Sequence, residues 1–144
     1  MNRVNPLRSY QQISTQTATP GQLVLMLFDG AIRFLERARV GFQYDDPLLF
    51  NQTINDNILR AQEIINELNA SLNMEAGGEF AANMRRLYEY MDWRLMTSNF
   101  KKEESGIVEI IGYLTTLRDA WAEMLRNQGQ SDSLEISRHT SAVV

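Results

Sequence analysis

Apolar residues recur with helical spacing in four successive stretches of the chain, and no stretch alternates with period two for long enough to form a strand. The repeating apolar residues of the first two stretches are Leu23, Leu27, Ala31, Phe34, Ala38 and then Ile54, Ile58, Ala61, Ile65, Leu68, Leu72. Those of the last two are Phe80, Met84, Leu87, Met91, Leu95 and then Ile107, Ile110, Leu114, Leu117, Trp121, Met124. The pattern therefore predicts four amphipathic helices.

Helix-start signals precede the first two stretches. Thr19 can cap the first helix, Pro20 suits its first position, and Gln22 completes a capping box. We expect this helix to run to about Phe42. The segment Asp45–Pro47 repeats the arrangement of an acidic cap followed by proline, so it marks the start of the second helix.

Polar or glycine-rich turns separate the later helices. Gly77 and Gly78 can close the second connection, because glycine adopts positive φ without steric cost. The third helix is expected from about Glu79 to Phe100, and residues 101–106 form a polar turn. The fourth helix is expected to end near Arg126.

Four helices joined by short connections predict an all-α fold, an antiparallel up-down four-helix bundle. The expected organisation is an N-terminal cap segment over residues 1–18, the bundle over 19–126 and a flexible tail over 127–144. The length of 144 residues suits one such domain.

Composition narrows the function classes. The formal net charge is −4 and no basic run resembles a nucleic-acid footprint, so we expect no nucleic-acid partner. The absence of cysteine fits a reducing compartment. With no signal-peptide core and no long apolar stretch, we expect a cytoplasmic protein without membrane insertion.

The residue types needed for catalysis or metal binding are sparse. The single histidine, His139, lies in the expected tail, and no serine or threonine has a histidine base within a plausible site. Di-metal bundles need inward Glu-x-x-His pairs, which this sequence lacks. We therefore expect no catalytic residue, no metal site and no cofactor, and the sequence argues against an enzyme.

Two helices carry more apolar residues than one core-facing stripe requires. Residues 23–28 are six apolar residues in a row. With Leu27 set at the core, a helical wheel puts Phe28, Ile32 and Leu25 about 100°, 140° and 160° away, on an outward flank. On the third helix the corresponding outward residues are Trp93, Met96 and Phe100.

Such patches have three readings. They can be covered by loops, by the N-terminal segment or through a slight rotation of the helix, they can form a groove for a partner chain, or they can pair between two copies of this chain. The N-terminal segment itself carries an apolar edge of Val4, Leu7, Tyr10 and Ile13. We expect that segment to dock marginally, as a displaceable lid over the partner groove.

Several motifs resemble those of one family, the flagellin-specific secretion chaperones called FliS. The resemblance covers roughly residues 5–126. The matching stretches are Asn5-Pro6 with Tyr10, TPGQL at 19–23, MLFDGA at 26–31, RAQEIINEL at 60–68, GGE at 77–79, LYEYM at 87–91, Arg94-Leu95 with Asn99, and LRDAW at 117–121. Leu7 stands where an aromatic residue is expected, and Trp93 is bulkier than expected at its position.

The resemblance implies a cytosolic four-helix bundle with a mobile N-terminal cap and no nucleotide or metal. It implies a chaperone that holds the disordered C-terminal segment of flagellin, prevents premature polymerisation, and delivers flagellin to the export gate of the flagellar type III apparatus. It also implies that Tyr10 is the contact residue of the cap or of the partner. The remaining candidate partner-binding residues are Leu7, Leu25, Phe28, Ile32, Trp93, Met96 and Phe100. Such a chain would be a monomer or a weak homodimer; a structural helical homo-oligomer is the alternative.

Overall fold

Four α-helices in sequence build the fold. A computed structural model describes residues 18–143, with side chains described through Arg138. The helices are α1 (Pro20–Gly41), α2 (Pro47–Ala70), α3 (Gly78–Lys101) and α4 (Glu104–Val143). Each packs against the helix that follows it, and α4 returns to pack against α1. The all-α four-helix bundle is thus confirmed.

The predicted start signals of α1 and α2 are present as hydrogen bonds. Thr19 Oγ1 accepts from the backbone N–H of Gln22 at 3.2 Å, and Gln22 Oε1 accepts from the N–H of Thr19 at 3.1 Å. Asp46 Oδ1 accepts from the N–H of Leu48 at 2.9 Å. These bonds satisfy N–H groups that have no partner inside the helix, which explains why both helices begin where they do.

The connections on either side of α3 depend on backbone with positive φ. Gly78 has φ 54°, as the glycine pair predicted, and Lys102 ends the helix in the left-handed region with φ 53°. The turn after α3 is shorter than predicted, because α4 already begins at Glu104. The expectation of a polar turn over 101–106 is therefore wrong for Lys101, which still belongs to α3, and for residues 104–106, which belong to α4.

The predicted end of α4 near Arg126 is also wrong, since the helix continues to Val143. The side chains from Arg126 to Arg138 are exposed, so packing does not hold this extension in helical form. Residues 127–144 contain no proline and one glycine, Gly129. An existing helix therefore extends without a new nucleation step, and polarity alone does not stop it.

The core fills the space between the four helices. Its buried residues are Leu27, Phe28, Ala31, Leu35, Ala38, Ile54, Ile58, Ala61, Ile64, Ile65, Leu68, Tyr88, Met91, Leu95, Ile107, Ile110 and Leu114. These include most of the positions that the helical spacing predicted. Burial of this apolar surface is the main term that stabilises the bundle.

Polar contacts fix α4 against α1 along its length. Arg118 Nε donates to Asp29 Oδ1 at 2.8 Å, which raises the pKa of Arg118. Trp121 Nε1 donates to the backbone oxygen of Gly21 at 2.8 Å. At the opposite end of the pair, Arg39 Nε donates to Glu104 Oε1 at 2.9 Å. These contacts set the antiparallel register, and they give a structural role to residues of the TPGQL, MLFDGA and LRDAW motifs.

Among the helices that the structure describes, none combines the length and the apolar character needed to cross a membrane.

Candidate binding surface

The outward side of α3 carries three large apolar side chains in one stripe. Trp93, Met96 and Phe100 are exposed to 54%, 56% and 89% of their surface. They lie opposite Met91 and Leu95, which point into the core. The helical spacing of i, i+3 and i+7 therefore places the three side chains next to one another, as predicted.

Aromatic contacts continue this stripe towards α4. The ring centroid of Tyr90 lies 6.0 Å from that of Trp93 and 6.4 Å from that of Tyr113 on α4. Tyr90 Oη donates a hydrogen bond to Glu109, which raises the pKa of Tyr90. The three rings thus form a row across two helices, anchored at its centre by the Glu109 carboxylate.

On the other side, hydrogen bonds between α2 and α3 fix which residues lie opposite each other. Gln62 Nε2 donates to Asp92 Oδ1 at 3.1 Å, and Asn99 Nδ2 donates to Asn55 Oδ1 at 2.9 Å. Leu59 lies between the two α2 partners and is 48% exposed. Because α2 and α3 are antiparallel, this register places Leu59 level with the Met96 turn of α3.

Together these residues form one exposed surface across α2, α3 and α4, which we call the apolar band. Its members are Leu59, Tyr90, Trp93, Met96, Phe100 and Tyr113. Burial of each such side chain by a partner contributes up to about 1.5–3 kcal/mol before the costs of association are subtracted. A surface of this kind suits an amphipathic helix of another chain, which would lie along a groove between two helices.

The described residues offer no comparable arrangement for metal chemistry. Within the part of the chain that the structure covers, no group of three or more His, Cys, Asp or Glu side chains is placed to hold a metal ion. The acidic groups near the band instead accept hydrogen bonds from neighbouring helices, as Asp92 and Glu109 do.

The expectation that Phe28 faces outward is wrong. Its side chain is only 3% exposed and belongs to the core. A helical wheel centred on Leu27 misplaces the core face, because Leu27 at 9% is the most exposed member of that face on α1, whereas Ala31, Leu35 and Ala38 are fully buried. The centre of the core face therefore lies further round the helix, in the direction of Phe28.

Leu25 and Ile32 are both half-buried on α1, and Ile32 packs against the core. The whole apolar run 23–28 is half-buried or buried, so it forms no exposed patch. The structure therefore does not bring these α1 residues together with Trp93, Met96 and Phe100. The candidates Leu7 and Tyr10 lie outside the described residues.

Three band members were missed by the sequence reasoning: Leu59, Tyr90 and Tyr113. Leu59 directly follows Ile58, one of the repeating apolar positions of the second helix, and a large apolar residue outside that repeat is a usable signal of surplus surface. Tyr90 and Tyr113 carry no such signal, because tyrosine is common at protein surfaces. Their contact depends on the packing of α3 against α4.

Residues 3–128 match the family model described as "FliS: Flagellar protein FliS". The flagellar secretion chaperone FliS of Bacillus subtilis is 40% identical over 124 residues, covering 86% of this chain and 89% of that protein. The flagellar secretion chaperone FliS of Salmonella typhimurium is 35% identical over 129 residues, covering 86% and 93%. The flagellar secretion chaperone FliSB of Pseudomonas aeruginosa is 32% identical over 127 residues, covering 84% and 96%.

Proposed function

Because this chain belongs to the FliS family of flagellar proteins, we propose that it binds the disordered C-terminal segment of flagellin in the cytoplasm. In this function it prevents premature polymerisation and delivers flagellin to the gate of the flagellar type III export apparatus. The related proteins are named secretion chaperones, and such a name points to a binding role rather than a catalytic one.

The apolar band is the single observation that carries the proposal. A disordered segment becomes ordered on binding, so it needs a large apolar surface to offset the loss of chain entropy. The band spans three helices that a buried core holds in place, so the chaperone itself loses little entropy. While the flagellin segment lies on this band, the apolar residues of that segment are covered and are not free to join a filament.

Residues 1–18 belong to the same proposal as a separate cap segment, with the bundle starting at Thr19. We infer that Leu7 and Tyr10 of this segment contact either the bundle or the partner. Release of such a segment by the incoming client would couple client binding to exposure of the cap. Leu25 and Ile32, half-buried on α1, are then candidates for the surface that the cap or client covers.

Isothermal titration calorimetry with the C-terminal segment of flagellin from the same organism tests the proposal. We expect one-to-one binding with a large negative heat-capacity change, because apolar surface leaves water. Phe100→Ser should weaken binding by about tenfold or more, since it removes the most exposed ring of the band.

Phe80→Ser is the matched control, because Phe80 is also exposed on α3, at 70%, but lies at the opposite end of that helix. It should bind flagellin as the unmodified chain does. Absence of binding by the unmodified chain at tens of micromolar (a free energy weaker than about −6 kcal/mol) would reject the function. Equal weakening by both variants would reject the band as the site.

A further inference from the structure

A second groove lies between α1 and α2, on a different side of the bundle from the apolar band. It has a volume of about 490 Å³ and is lined by Phe34 and Arg37 of α1 and by Gln52, Thr53, Asp56, Asn57 and Arg60 of α2. Most of these side chains are polar, and Phe34 forms the apolar part, packing against the core. The groove therefore differs in chemistry from the band.

Two guanidinium groups converge on the Phe34 ring. The Cζ atom of Arg37 lies 5.4 Å from the ring centroid, and that of Arg60 lies 5.8 Å from it. Arg37 comes from α1 and Arg60 from α2, so the ring gathers positive charge from two helices. A guanidinium held against an aromatic ring keeps its N–H donors available at its edge.

Neither guanidinium forms an ion pair with a residue that the structure describes, whereas Arg39, Arg94 and Arg118 all do. Asp56, the one acid that lines the groove, accepts a hydrogen bond from Asn55 Nδ2 at 3.4 Å instead. Two cations and one acid leave the groove positive within a chain of net charge −4. This local sign is complementary to a carboxylate-bearing ligand.

We propose that the Arg37–Phe34–Arg60 groove binds an acidic segment of a partner protein, through Asp or Glu carboxylates that accept from both guanidinium groups. Contact with Phe34 already restricts both arginine side chains, so little of their freedom remains to be lost on binding. The site lies outside the apolar band, so the chain can hold this segment and its client together.

Fluorescence anisotropy with a fluorescein-labelled peptide of alternating glutamate and alanine tests the site without any flagellin. The full chain should bind it saturably, and the matched peptide of alternating glutamine and alanine should not bind. Arg37→Gln combined with Arg60→Gln should weaken binding by about tenfold. Replacing both with lysine should recover only part of the affinity, because lysine keeps the charge and loses the planar fork.

Arg86→Gln combined with Arg126→Gln is the control, since it removes the same charge from exposed positions outside the groove. This control should bind the peptide as the unmodified chain does, and circular dichroism should show all variants folded. Equal weakening in the control, binding of the glutamine peptide, or no binding at all would overturn the proposal. Tighter binding of a single-stranded oligothymidylate would also overturn it. Because flagellin is absent, these outcomes do not depend on the client-binding function.

Discussion

At the crossing of α3 and α4, Gly106 lies directly against Ser98. A Cβ atom added to Gly106 would stand 1.9 Å from Ser98 Oγ and 2.9 Å from Arg94 Nη1. We expect Gly106→Ala to lower the free energy of unfolding by about 1–3 kcal/mol, because one helix must shift or the buried serine must turn. Urea denaturation followed by circular dichroism measures this change.

Gly112 provides the control for that substitution, because it lies on the same helix and a Cβ there would meet nothing within 4 Å. Gly112→Ala should raise the free energy of unfolding by up to about 1 kcal/mol through helix propensity. Ser98→Ala should restore part of the stability lost by Gly106→Ala, because it removes the nearest atom. Equal effects of the two glycine substitutions would show that the crossing is not tight.

The phenol of Tyr88 makes the free energy of unfolding depend on pH in the alkaline range. Its side chain is 4% exposed, and burial raises the pKa of its phenol from 10.0 to about 12. The folded state therefore holds the proton more tightly than the unfolded state. The resulting contribution of Tyr88 to the free energy of unfolding is fully present below about pH 10. It is lost as the pH rises towards about 12.

We therefore expect Tyr88→Phe to lose less stability than the unmodified chain between neutral pH and about pH 11. Denaturation curves of both proteins at the two pH values give the comparison. Tyr113→Phe is the control, because Tyr113 is 42% exposed. A pH dependence that is the same in all three proteins would contradict the assignment to Tyr88.

Among the elements, α4 is the one whose distal part lies outside the bundle. A Cβ on Gly21 would stand 2.6 Å from Leu125 Cδ2, so Leu125 is level with the start of α1. Beyond that point α4 extends for about 27 Å at 1.5 Å per residue. Its side chains as far as Arg138 are exposed.

Truncation after Arg126 should therefore leave the thermal unfolding temperature nearly unchanged while it removes the ellipticity of residues 127–143. Far-ultraviolet circular dichroism of the shortened and full chains, at equal concentration, measures both quantities. Truncation after Leu117 is the contrasting case, because it also removes Arg118 and Trp121, which bond to α1. A large loss of stability in the first variant would mean that the extension packs on the bundle.

The elements differ in how far the sequence predicted them, and the reasons are physical. The starts of α1 and α2 were predictable because a capping box and an Asp-Pro pair act through neighbouring residues. The orientation of Phe28 and the contact of Tyr90 with Tyr113 were not predictable, because both depend on which helices pack together. The end of α4 was missed because no proline or cap marks it. On the candidate surface, only the α3 stripe followed from the helical spacing.

At the scale of the whole molecule, the chain presents two surfaces of different chemistry. The apolar band crosses α2, α3 and α4, while the Arg37–Phe34–Arg60 groove lies between α1 and α2. Both are built on helices that pack around the same buried core. The band also raises the question of self-association, because two copies could cover each other's apolar residues.

We expect the isolated chain to be a monomer or a weak dimer, and excess flagellin segment to convert it into a complex of one chain and one segment. We expect the two associations to compete, because in the proposed function the flagellin segment covers the same apolar band that a dimer would bury. Light scattering after size exclusion gives the masses, and the emission of Trp93, which is 54% exposed, should move to shorter wavelength only when the band is covered. The Trp93→Phe variant shows how much of the emission comes from Trp93 and how much comes from Trp121. The opposite outcome is a dimer that excess flagellin segment does not dissociate and whose Trp93 emission is already at shorter wavelength. That result would show that the band serves self-association instead.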